Sequence, residues 1–271
     1  MKAAVLAVLR GLAALSPRGS LLVAHLIAVA TRPLGHGIAD DWLATVFPDL
    51  PPDARRVAKQ GTWESFLKGE ALDAVVRRGV RDLPRTIPAP ALDQVRPPAV
   101  VASFHIGPFQ ALGPVLVALG APSVALAREQ YRERPDMLLL HRGGDVWERA
   151  RTFVRTLDEL RSGRFVVVTV DGLPVGDHPI PSIQVPMLGR SMAFARGPFA
   201  LARLGRVAIV PMVTRWRGTA MELIVGDPIA PDRDEPAMAA ALAGWLERYL
   251  RERPGEISVF LLERLEPPLP R

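Results

Sequence analysis

The residues best suited to chemistry lie together in Ser103-Phe104-His105-Ile106-Gly107-Pro108-Phe109-Gln110, directly after the apolar run 99–102. An apolar run of this length reads as a buried strand, and the Gly-Pro pair after it starts a helix. Active sites of α/β folds collect at such strand ends. A histidine delivered there can act as a general base near neutral pH. Asp171-Gly172 follows a second apolar run, 164–170, in the same way, so a carboxylate and an imidazole both sit at carboxyl ends of predicted strands.

The elements that must position these groups are written along the rest of the chain. Pro51-Pro52 precedes and Gly79 follows a helical pattern over 53–78, and a Pro-rich connection covers 84–98. Strand 99–104, helix 107–120 and strand 122–127 come next. After a charged stretch they are followed by helix 145–162 ended by Gly163, and strand 164–170. An irregular segment is expected where prolines stand at 174, 179, 181 and 186. A helix near 194–204, strands 207–213 and 219–225, and a final helix 234–253 complete the pattern. Alternating helices and strands predict an α/β domain with a mixed central sheet flanked by helices. Its 271 residues, 49% hydrophobic, suffice for one large domain, drawn at 32–271.

Residues 1–31 are read separately. Ala3–Leu15 and Ser20–Ala30 are strongly apolar and are split by Ser16-Pro17-Arg18-Gly19. Each is shorter than the roughly 20 residues that span a bilayer. Arg10, Pro17 and Arg18 interrupt the whole, and no small-residue cleavage site follows it. The expectation is a membrane-associating pair of helices, with Lys2, Arg10, Arg18 and Arg32 toward headgroups, against the alternative of two core helices.

Composition removes several function classes. There is no cysteine, so disulfides, thiolate metal sites and a cysteine nucleophile are excluded, and the default setting is cytoplasmic. The net charge of +6 is carried almost wholly by arginine, because Lys2, Lys59 and Lys68 are the lysines among 34 basic residues. Arginine binds phosphate and carboxylate in a bidentate way, which suits phosphate-bearing lipids or an acidic carrier protein; a GC-biased genome gives the same composition. No G-x-x-x-x-G-K-[ST] loop occurs, and neither a motif nor a basic face for nucleic acid is found. The five histidines (25, 36, 105, 141 and 178) lack metal-ligand spacing, so no metal site and no cofactor is expected.

Two competing constellations fall away on position. Gly189-Arg190-Ser191-Met192-Ala193 is close to a nucleophile elbow, but that fold places its histidine after the serine and the last histidine here is His178. His36 and Asp41 satisfy H-x4-D, yet lie in an apolar region with no buried strand before them. His25 reads as a packed or interfacial histidine, and His141 and His178 as loop residues. Arg128, Arg142, Arg196 and Arg215 fall near predicted strand ends or helix starts, where they would contact a charged substrate or form ordinary salt bridges.

In order along the chain, several segments resemble the late acyltransferases of lipid A biosynthesis, within the lysophospholipid acyltransferase superfamily. Val46-Phe47-Pro48-Asp49-Leu50 with Phe66 and Glu70 resembles the membrane-proximal start, and 103–110 lies where the family carries its H-x4-(D/E) motif. Arg142 with Gly144 resembles a downstream R-x-x-x-G region, and Val170-Asp171-Gly172 lies where a strand commonly ends in Asp-Gln. Val185-Pro186-Met187-Leu188-Gly189 resembles a Val-Pro-Phe-Phe-Gly segment, and Gly197-Pro198, Leu201-Ala202 and Val210-Pro211 follow in order.

The resemblance implies a glycerolipid acyltransferase-like fold at the cytoplasmic face of the inner membrane. The implied reaction moves a fatty acyl group from an acyl carrier protein or acyl-CoA thioester to a hydroxyl of a membrane lipid or glycolipid. It assigns His105 as general base and position 110 to the acid that orients the imidazole; by position, Gly107, Arg128, Arg142 and Arg196 are set at the substrate, with Arg142 first among them as a substrate contact or a partner to Asp171. That acid is replaced here by Gln110. Acid-to-amide exchange at such a position costs about 10⁴ in turnover in a serine protease. Three readings follow: Asp171 supplies the charge, Gln110 suffices for a slower reaction, or the protein binds lipid or acyl carrier protein without turnover.

Overall fold

A computed structural model describes residues 11, 16–31, 40–77, 86–128, 137–140, 146–172, 181–262 and 264–265. Its centre is strand β2 (Ala99–Ser103), whose five residues are all buried. An all-buried run is what a parallel strand shows when helices cover both faces of its sheet. Val100 and Ala102 point into the larger core cluster, and Ala99 and Val101 into a second one on the opposite face. The same alternation divides Val166 and Val168 from Phe165 and Val167 in β5 (Phe165–Thr169).

The sheet has seven strands. Besides β2 and β5 they are β1 (Thr86–Ile87), β3 (Ser123–Arg128), β4 (Met137–Leu140), β8 (Ile209–Arg217) and β9 (Ala220–Val225), in the order β1-β9-β8-β2-β5-β3-β4. Every neighbouring pair is parallel except β8 with β9, so the sheet is mixed and mostly parallel. Helix α4 (Leu112–Ala118) lays Leu112 and Leu116 on one face. On the other face lie α6 (Gly197–Gly205) and α7 (Glu235–Glu252), with Phe199, Leu201, Leu242 and Leu246 buried, and Phe153 and Leu157 of α5 (Val146–Arg161) packed against them. This is the flanked α/β sheet that the sequence pattern predicts.

Two expectations are corrected. The segment expected to be irregular contains a hairpin, β6 (Ser182–Met187) and β7 (Arg190–Ala195), joined by a two-residue turn at Leu188 and Gly189. Both turn residues have positive φ, 53° and 70°, as a hairpin twisted like its strands requires. Leu188 holds this conformation because its side chain is buried and its N–H donates to Glu247 Oε2 at 2.9 Å. Pro186 is tolerated because the ribbon has only two strands, and a proline on a strand edge costs no ladder bond. The second correction is β4, a four-residue edge strand within the stretch read as charged.

At the N-terminal end, α1 (Pro17–Thr31) packs Leu21, Ala24 and Ala28 against Leu67 and Ala71 of α3 (Pro52–Arg77). Its opposite stripe, Leu22, Leu26 and Val29, is exposed. Helix α2 (Asp40–Val46) buries Leu43 and Val46 beside α3. The first apolar stretch, 3–15, lies outside the described residues except for Gly11. Among the described residues no helix is long and apolar enough to cross a membrane.

Candidate active site

The site follows from the register of β2 and β5. Ser103 pairs with Thr169, an offset of 169 − 103 = 66 residues. The same offset carried past the strand ends sets His105 opposite Asp171. The ladder continues at least one step, since Val170 N–H donates to the Ser103 carbonyl at 2.9 Å. The Asp171 carboxylate then accepts the His105 backbone N–H at 3.1 and 2.9 Å and faces His105 Nδ1 at 3.0 Å. With a carboxylate at Nδ1, the imidazole carries its proton there and keeps a lone pair on Nε2. Nε2 has no partner among the described residues.

Burial is graded across the pair. Asp171 is 1% exposed, and the His105 side chain 21%, so the acid is fixed while one face of the base remains reachable. The imidazole sits against Phe109, with ring centroids 4.5 Å apart in an edge arrangement, and 5.9 Å from the ring of Phe260. Phe260 belongs to α8 (Val259–Leu262), whose Leu261 and Leu262 are anchored in the core. Together these contacts leave the ring little freedom to turn.

Two glycines make this packing possible. A Cβ on Gly172 would stand 3.0 Å from His105 Cε1. Gly172→Ala is therefore expected to push the ring by a few tenths of an ångström and lower turnover by about tenfold, on a scale where 1 Å of misplacement costs about 10²-fold. A melting temperature equal to the parent's would separate this from unfolding, and unchanged turnover would show that the ring yields freely. Gly107, with φ 55°, presses its turn onto β8, where Thr214 Oγ1 donates to the Pro108 carbonyl at 2.9 Å.

Gln110 lies in a 3-10 turn, Phe109–Ala111, and its Oε1 is buried without a hydrogen-bond partner. The residue in the expected acid position therefore does not hold the histidine, and Asp171 does. Of the arginines named from sequence, Arg196 is committed to Glu235, which also accepts from Arg203 Nε at 2.8 Å. Burial opposes the charge of Glu235, but the two guanidinium hydrogen bonds outweigh it and hold the carboxyl below its ordinary range. Arg215 is likewise paired, with Glu222 at 2.6 Å. Arg128 ends β3, and Arg142 lies outside the described residues.

The other sequence candidates divide similarly. His25 Nδ1 is 2.9 Å from Glu64 Oε1, which ties α1 to α3. Ser191 is no elbow nucleophile: it lies within β7 and its exposed hydroxyl donates to Gln184 Oε1 at 2.9 Å. His36, His141 and His178 lie outside the described residues. No group of three or more potential metal ligands is assembled among the described residues.

The sequence gives no sign of the cavity that adjoins this turn. A pocket of about 700 Å³ reaches from Gly107 between α3 and a 3-10 turn, Pro254–Glu256, with Leu50, Ala54, Val57 and Trp216 on its apolar walls. A volume of this size holds a ligand of several hundred daltons. Gly107, two residues along the chain from His105, belongs to its lining.

No family model matches the chain, and no curated protein matches it by sequence. Among solved structures, the chain is similar to the 1-acyl-sn-glycerophosphate (LPA) acyltransferase PlsC from Thermotoga maritima. The identity is 15%, the TM-score 0.44, and the superposition covers 88% of this chain and 99% of that one.

Proposed function

We propose that the protein is an acyltransferase that moves a fatty acyl group from a thioester, carried by acyl carrier protein or CoA, to a hydroxyl of a membrane lipid or glycolipid. The observation that carries this reading is the His105–Asp171 pair, 3.0 Å apart at the ends of adjacent parallel strands, with Nε2 unengaged among the described residues. The ordered motifs around it, from Ser103–Gln110 to Val210-Pro211, support the same chemistry.

In this reading His105 Nε2 takes the proton of the acceptor hydroxyl as its oxygen attacks the thioester carbonyl. Asp171 is a positioning residue that fixes the tautomer and stabilises the imidazolium. The tetrahedral intermediate collapses with cleavage of the carbon–sulfur bond. The imidazolium then returns its proton to the departing thiolate, leaving an ester, a free thiol and the original histidine. The test is transfer from labelled acyl carrier protein and acyl-CoA into a total membrane lipid extract. Product from the parent protein, lost in His105→Ala, supports the enzyme. Its absence with both donors, in folded protein, refutes it.

The same proposal sets the protein at the cytoplasmic membrane surface, held in part by α1. Leu22 and Leu26, 50% and 56% exposed, form with Val29 an apolar stripe facing away from α3. Burying a leucine contributes roughly 1.5–3 kcal/mol. Leu22→Asp with Leu26→Asp is thus expected to weaken binding to anionic vesicles by at least about tenfold. Both positions are exposed, so the fold should survive. Equal co-flotation of parent and variant would remove this stripe from the membrane contact.

A further inference from the structure

The pocket beside Gly107 has a chemistry of its own. Leu50, Ala54 and Val57 give it an apolar surface, and beside them it carries Glu64, also of α3, with Glu252 and Glu256, against only Arg251 and Arg253. Both arginines are already engaged: Arg251 with Glu247 at 2.6 Å, and Arg253 with Glu252 at 2.8 Å while lying over the Tyr249 ring. Glu64 is shared between His25 at 2.9 Å and the buried Lys68, whose ammonium also donates to the Gly218 carbonyl at 2.7 Å. Glu256 accepts from the Tyr249 hydroxyl, and burial raises its carboxyl above the ordinary range.

Among the described residues, then, the pocket presents three carboxyl groups and no cation without a carboxylate partner. A phosphate entering it would have to displace a carboxylate to reach either guanidinium. Sugar or glycerol hydroxyls face the opposite situation, because they donate to carboxylates without bringing charge. Trp216 adds a second polar feature: its indole N–H is buried and unpartnered, which leaves an oxygen acceptor wanting at that wall.

We propose that this pocket is the acceptor site, and that it takes a single-chain amphiphile with an uncharged, hydroxyl-rich head in preference to a phosphate-headed one. The chain would lie against Leu50, Ala54 and Val57. The word acceptor rests on the acyltransferase reading; the binding preference does not.

The test compares two probes of equal chain length, a bromoalkyl glucoside and a bromoalkyl phosphate, each below its critical micelle concentration. Bromine quenches tryptophan at short range, and Trp216 lies in the pocket wall. The glucoside is expected to quench saturably, with the phosphate at least about tenfold weaker, a difference of about 1.4 kcal/mol. Trp216→Phe should remove most of the quenching, and Ala54→Phe should abolish binding by filling the pocket. Val57→Phe at the exposed rim serves the same purpose if Ala54→Phe melts early.

Equal or tighter binding of the phosphate, or quenching unaltered in Trp216→Phe and both filling variants, overturns the proposal. Failure of the two readings is distinguishable. Glucoside binding without acyl transfer to any acceptor removes the reaction and leaves the pocket preference. Efficient acylation of a phosphate-headed lipid that also binds more tightly removes the preference and leaves the reaction.

Discussion

Asp171→Asn and His105→Ala are each expected to lower acyl transfer by about 10³- to 10⁴-fold, the scale on which a histidine base and its orienting acid act as a unit. The argument for Asp171 is geometric. Its carboxylate has only acceptors to offer, and it receives the Nδ1 proton of His105 at 3.0 Å together with the His105 backbone N–H. An asparagine can keep one of these bonds through its carbonyl oxygen. Its amide cannot accept, so when it faces Nδ1 it draws the ring proton to Nε2 and removes the lone pair that would take the acceptor proton. Initial rates with a labelled thioester donor, on variants whose melting temperatures match the parent's, are the measurement. A loss of less than about tenfold in Asp171→Asn would show that the ring is oriented by something else.

Gln110→Glu supplies the contrasting arm. If position 110 were a vacant acid slot, restoring the carboxylate would raise activity. With Asp171 already on Nδ1, no such gain is expected. The Gln110 side-chain oxygen is buried with no donor around it, so a charge there would carry a desolvation cost of several kcal/mol. The variant should lose stability and gain nothing in rate. A gain above about tenfold would mean that the working arrangement turns His105 away from Asp171 and toward position 110.

How far the sequence reaches is visible in this pair. Both residues are marked in the chain, because each closes an apolar run and the Gly and Pro signals fix where those runs stop. What the chain does not display is the 66-residue ladder offset that sets them side by side, since the pairing of two parallel strands depends on the crossover between them. Helices α3, α5 and α7 are legible within a residue or two, as their ends carry Pro52, Gly163 and the Asp234 cap, which accepts from Ala237 N–H. The hairpin is missed because its prolines outweigh its alternation, and its turn uses a leucine at positive φ that only tertiary contacts sustain. Arg196 misleads for a related reason: its position at a helix start suits a ligand, but its partner, Glu235, comes from a helix 39 residues on. The pocket is assembled from α2–α3, β8 and the end of α7, and no local pattern announces it.

Gly107→Ala is expected to be the most destabilising single-methyl change near the site. Two costs combine there. The backbone has φ 55°, a left-handed conformation that costs an L-residue about 1–2 kcal/mol. In addition, the new Cβ would lie 2.2 Å from the Thr214 carbonyl oxygen, which is backbone and cannot swing aside. Relief requires lifting the turn from β8, which breaks the Thr214 Oγ1 bond to Pro108 and shifts His105 two residues upstream. A total of about 3–5 kcal/mol follows, placing the change in the severe tail of point mutations. For a chain of this length that lowers the melting temperature by roughly 5–9 °C. Gly218→Ala separates the two costs, because Gly218 has φ 62° but open space where its Cβ would stand. It should lose only the conformational share, about 1–2 kcal/mol, and retain activity. Melting temperatures that fall equally in the two variants would show that the contact with Thr214 yields, and that the turn carrying His105 is not seated on β8 as firmly as the geometry requires.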